Sequence, residues 1–111
     1  MSQEKSQRNR RLNTRRPVKN RTKVLCRKGG LDLGPNLAAG TFNVSETGVR
    51  LALQEELPVG QEVTVTLECM ALQRPLRVLG NVIWCRPGEA LWEVGISFQK
   101  RLKYPDYLRL T

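Results

Sequence analysis

From about residue 21 onward, apolar and polar residues alternate with a period of two. Thr22–Cys26 puts Val24 and Cys26 on one side, and Val49, Leu51 and Leu53 alternate with Arg50, Ala52 and Gln54. The clearest run sets Val63, Val65, Leu67 and Cys69 inward and Glu62, Thr64, Thr66 and Glu68 outward. Trp92, Val94, Ile96 and Phe98 repeat the pattern on a last strand. Alternate side chains of an extended chain point to opposite faces, so each run predicts a strand with one buried face. Ala38–Val44 reads as a short strand of small residues, and Leu76–Cys85 as a long one, apolar on both faces and bent at Gly80. Gly29-Gly30, Gly34-Pro35-Asn36, Pro58-Val59-Gly60 and Pro87-Gly88 punctuate the runs as turns.

Six short strands and no helical period before residue 103 predict an all-β fold, a six-stranded antiparallel β-barrel. Closing the sheet removes the unpaired edges at which strands aggregate. The predicted barrel spans 21–100. The tail, 101–111, is expected to make a short helical turn with Pro105 at its first position and Tyr104, Leu108 and Leu110 as its docking side. Residues 1–20 carry no apolar period and only Met1, Leu12 and Val18 as large apolar side chains, so they predict a flexible arm.

Charge separates arm from barrel. Residues 1–30 hold eleven Lys/Arg and one acid, a net +10, while residues 31–111 hold eight bases and nine acids, a net −1. The arm therefore carries the field, either as a solvated tail or as a clamp for an anionic partner: nucleic acid, nucleotide or acidic membrane surface. With 111 residues one domain can bury a single core, and with 5% aromatics that core must be aliphatic. Cys26, Cys69 and Cys85 are odd in number and widely spaced, which suits small reduced core residues in a cytoplasmic protein and gives no metal site. No apolar run approaches the roughly 20 residues of a membrane span, so no membrane insertion is expected. The chain has no histidine, no paired carboxylates and no phosphate-cradling Gly loop before a helix, and so no catalytic residues, enzymatic activity or resident cofactor are expected.

Two segments carry binding chemistry. In the arm, Arg11-Leu12-Asn13-Thr14-Arg15 is followed at once by Arg16. Guanidiniums four residues apart can converge on one dianion, and their planar forks suit phosphate and the guanine O6/N7 edge. Between two predicted strands lies Asn43-Val44-Ser45-Glu46-Thr47-Gly48. Asn43 and Ser45 can offer an amide and a hydroxyl to a base edge, and Gly48 can take positive φ and admit a ligand close to the backbone. Equally, Asn43 and Ser45 can be local turn formers.

In the order R-x-x-x-R, strand, [DN]-x-S-x-x-G, the chain resembles the PilZ family of cyclic di-GMP receptors. Arg11 and Arg15 match the first motif, Asn43, Ser45 and Gly48 the second, and Trp92–Phe98 resembles the family's last barrel strand. The resemblance covers about residues 8–100. Two departures stand out: Arg16-Pro17 follows the arginine motif, so Arg16 can replace or join Arg15, and the second motif begins with Asn rather than Asp. The resemblance implies a non-catalytic receptor in which Arg11 and Arg15 neutralise phosphate and read or stack on guanine while Asn43 and Ser45 read other base edges. The ligand would fasten the arm to the barrel and offer a new surface to a downstream protein partner. The rivals are a nucleic-acid-binding barrel with a basic arm and a PilZ-like module that binds no nucleotide. Six aromatic residues, with Trp92 and Phe98 facing inward, make a poor stacking platform for nucleic acid.

Overall fold

A computed structural model describes residues 22–110 of the chain. The expectations of a flexible arm and of Arg11, Arg15 and Arg16 as ligand contacts lie outside the described residues. Six strands follow in order: β1 (Lys23–Lys28), β2 (Ala38–Val44), β3 (Gly48–Leu53), β4 (Glu62–Glu68), β5 (Leu76–Pro87) and β6 (Trp92–Phe98), with a C-terminal helix α1 (Tyr104–Leu110). They form one sheet in the order β1-β4-β5-β6-β3-β2, with every pairing antiparallel. The sheet curls until β1 meets the start of β2. There Leu37 N–H donates to Cys26 O at 2.7 Å, and Asn36 Oδ1 accepts from Cys26 N–H at 2.8 Å and Ala38 N–H at 3.0 Å. The barrel is thus nearly closed, as the alternation predicts.

The inward residues of β3, β4 and β6 fill it. Val49, Leu51, Leu53, Val63, Val65 and Leu67 are fully buried, as is Val94. Each large aliphatic side chain withdrawn from water contributes about 1.5–3 kcal/mol, so this aliphatic interior is the main favourable term of the fold. Cys26 lies in the same core, where burial pushes its thiol up to about 12.

Three expectations change. In β5 the pairing with β6 slips between Val82 and Trp84, and this irregularity, rather than Gly80, shifts the strand's phase. Gly80 is small because a side chain there would meet Ile96 Cγ2 at 2.6 Å and Ser97 O at 2.9 Å. Helix α1 docks through Tyr107 and Leu110, whereas Tyr104 and Leu108 are 57% and 40% exposed. Thr64 and Thr66 face outward, yet both are buried.

The β1–β2 loop explains the buried threonines. Thr64 lies between Arg27 and Leu79, and Thr66 between Leu25 and Arg77, in rows across β1, β4 and β5. The loop folds back over these rows, with Thr64 Oγ1 donating to Gly29 O at 2.8 Å. Asp32 bridges Arg27 at 3.3 Å and Arg77 at 2.9 Å. It does so at φ 58, in the left-handed region that non-glycine residues enter at a cost of about 1 kcal/mol or more. The Thr66 hydroxyl has no hydrogen-bond partner in this enclosure.

Candidate nucleotide-binding face

The turn from β2 to β3 carries the second motif. Its closing bond is Ser45 N–H to Gly48 O at 2.8 Å. Ser45 is buried, and its Oγ accepts from Thr47 N–H at 3.3 Å, donates to Gly48 O at 3.4 Å and lies 3.3 Å from Thr47 Oγ1. All three contacts are long against the 2.7–3.0 Å of strong hydrogen bonds, so the backbone bond, not the hydroxyl, holds the turn. Gly48 has no positive φ. It is glycine because a Cβ there would strike the carbonyl oxygen of Ile96 on β6. The residue is needed, but for close approach of strands rather than for the backbone freedom expected of it. The turn is tied to the chain after β6: Thr47 O accepts from Phe98 N–H and Glu46 O from Leu102 N–H, both at 2.8 Å, and the Glu46 carboxylate pairs with Arg101.

Asn43 opens onto the outer face of the sheet, partly exposed, opposite Arg50 of β3. From there a row crosses four strands: Asn43 beside Arg50, Arg50 beside Gly95, and Gly95 beside Trp84. The Trp84 indole lies over Gly95, in the space a side chain would occupy. In the next row Glu93 sits directly opposite Arg86. The Glu93 carboxylate pairs with Arg86 at 3.0 Å and with Arg50 on its other side. Arg50 also lies 4.8 Å above the Phe42 ring, and Arg86 5.0 Å from the Trp84 ring. The hydrogen bond from Arg86, with those and the charge from Arg50, holds the Glu93 carboxyl below the usual carboxylate range. A depression of about 310 Å³ lined by Phe42, Ala52, Leu91 and Glu93 adjoins this ladder.

The face therefore offers an amide, two guanidiniums and two aromatic rings beside the motif turn. Arg50, Arg86, Glu93 and Trp84 lack any local motif; only the register of β3, β5 and β6 assembles them. Such a surface can hold an anion through the guanidiniums and a purine against indole or guanidinium planes. Among the described residues no cluster of three His, Cys, Asp or Glu could hold a metal, and no helix is long and apolar enough to cross a membrane.

No curated protein matches the chain at a significant level. The family described as PilZ domain matches over residues 9–106, a span that runs from the arm motif through all six strands into α1. With that match over most of its length, the chain belongs to the PilZ family.

Proposed function

We propose that this PilZ domain is a non-catalytic receptor for cyclic di-GMP, the ligand with which its family is identified. The observation that carries the reading is the row Asn43–Arg50–Gly95–Trp84, which places the motif asparagine on one surface with a guanidinium and an indole. Cyclic di-GMP presents two phosphodiester anions and two guanines, and this surface has groups for both. Asn43 accepts from a guanine N–H through its amide oxygen, Arg50 and Arg86 attract phosphate, and Trp84 supplies a flat apolar wall. Arg11 and Arg15, with Arg16 as the alternative second arginine, close over the ligand from the arm. Ser45 and Gly48 shape the turn, and a direct contact from Ser45 requires the turn to open, because its hydroxyl is buried against Thr47 and Gly48. The ordered arm is then the output offered to a downstream protein.

Isothermal titration of the full chain with cyclic di-GMP, alongside GTP and a short oligonucleotide, tests this. Specific binding at about micromolar affinity, near −8 kcal/mol, is expected. Arg11→Ala and Arg15→Ala should each lose about 1.5–3 kcal/mol of it. A silent Arg15→Ala with a damaging Arg16→Ala moves the register by one. Absence of cyclic di-GMP binding, together with oligonucleotide binding that falls steeply with salt, would favour the nucleic-acid reading instead.

A further inference from the structure

A second surface lies along β5 past the end of its pairing with β6, next to the segment that ties down the motif turn. Strand β6 pairs with β5 only from Gly80 to Pro87, so Leu76–Leu79 have β4 on one side and no strand on the other. One ladder bond continues past Gly80, from Gln99 N–H to Leu79 O at 2.8 Å. Beyond Gln99 the chain leaves the sheet to begin α1 at Tyr104. Alternate residues of a strand aim their N–H and C=O to the same side, so the next rung, at Arg77, faces the gap.

That gap is a groove of about 630 Å³ between β5 and residues 99–103. Leu76, Val78, Leu79 and Leu102 make its apolar lining; Arg77, Lys100, Arg101 and Lys103 supply four cations against one acid, Asp106. Arg77 is paired with Asp32, Arg101 with Glu46 and Asp106 with Arg109. Lys100 and Lys103 have no carboxylate within ion-pair distance among the described residues. The apolar strip continues onto the β1–β2 loop. A side chain at Gly30 would touch Leu79 at 3.6 Å, and the following Leu31 and Leu33 are 80% and 68% exposed. The Asp32 bridge holds that loop in place, with its acid turned inward and its two leucines turned out.

We infer that the open edge of β5 at Leu76–Leu79 is a docking site for an extended, acidic, apolar-alternating segment of a partner protein, which adds to the sheet as a short strand. Backbone pairing at Arg77, the rung next to the Gln99–Leu79 bond, gives the occupant its direction, alternate apolar side chains meet the lining, and its carboxylates meet Lys100 and Lys103. The chain's own basic arm is excluded as occupant, since it would bring like charge to a basic groove. Single-stranded nucleic acid fits poorly because no aromatic residue lines the groove. The docking requires no nucleotide.

The test uses the full chain, labelled with nitrogen-15 and free of nucleotide, titrated to about millimolar peptide, where weak association is measurable. The probe is a short peptide alternating glutamate and valine. The controls are a lysine–valine counterpart and the acidic peptide with a central proline, which cannot complete the ladder. Amide shifts confined to Arg77, Leu79 and residues 99–103, seen with the acidic peptide only and weakened roughly tenfold in Lys100→Glu/Lys103→Glu, support the site. Equal binding of the proline peptide overturns strand addition. No shifts, equal binding of the lysine peptide, or indifference to the double charge reversal each overturn the proposal.

Discussion

Two places on the barrel's outer surface use the same device, one carboxylate shared between two arginines, to opposite ends. Over β1, β4 and β5 the carboxylate is Asp32, brought by a loop at positive φ between Arg27 and Arg77. Over β3, β5 and β6 it is Glu93, a strand residue directly opposite Arg86 on β5 and diagonal to Arg50 on β3. The Asp32 bridge roofs the sheet: it buries Thr64 and Thr66 and strands the Thr66 hydroxyl without a partner. The Glu93 bridge roofs nothing. It lies flat and leaves its guanidiniums against Phe42 and Trp84, open to solvent. A shared carboxylate closes a face when a loop delivers it, and only sets the spacing of cations when a strand does. The first arrangement serves stability and the second leaves chemistry exposed.

The contrast breaks most easily at Asp32. Asp32→Ala removes both pairings and leaves a strained left-handed residue, and should cost about 2 kcal/mol of unfolding free energy by urea titration, with nucleotide affinity unchanged. Asp32→Asn, which tolerates that φ, should cost about half as much. Gly95→Ala acts on the other face. Its methyl would evict the Trp84 indole, a side chain that can swing away, so stability should fall by only about 1 kcal/mol. Tryptophan emission should shift to the red, and cyclic di-GMP affinity should fall. Ser45→Ala is smaller still: the long contacts of its hydroxyl predict a loss of about 0.5 kcal/mol in a thermal melt, with the larger effect on affinity. Lost stability with constant affinity would leave Ser45 a turn former only.

Glu93→Gln tests the strand-borne carboxylate through pH. A carboxyl held below its ordinary range stabilises the fold above the unfolded value, near 4.3, and loses that contribution as pH falls through the folded value. Wild type should therefore exceed Glu93→Gln in melting temperature by a constant margin at neutral pH, and the margin should close only below about pH 4. The same variant removes a negative charge from the anion face, so its affinity for cyclic di-GMP should rise.

Strands β3, β4 and β6 were legible because every second residue is a large apolar one and the residues between are polar or small, so a period of two has a single reading. The outward threonines of β4 were misjudged in burial, not direction, because what covers them is a loop some thirty residues earlier in the chain. The docking side of α1 expected from sequence, Tyr104, Leu108 and Leu110, shares only Leu110 with the side that docks, because a helix of seven residues carrying Tyr104, Tyr107, Leu108 and Leu110 has more than one apolar face. Gly48 was found for the wrong reason, since sequence shows that a side chain is missing but not what stands in its place. The Arg50–Glu93–Arg86 ladder could not be read at all, because Arg50 and Glu93 are 43 positions apart and become neighbours only through strand register.

The most direct test of the receptor reading is a nitrogen-15 NMR titration of the full chain with cyclic di-GMP. Shifts should concentrate at Asn43, residues 45–48, Arg50 and the Trp84 indole N–H, accompanied by arm resonances that include Arg11 and Arg15. Shifts absent at saturating ligand, or present only around Lys100 and Lys103, would contradict it.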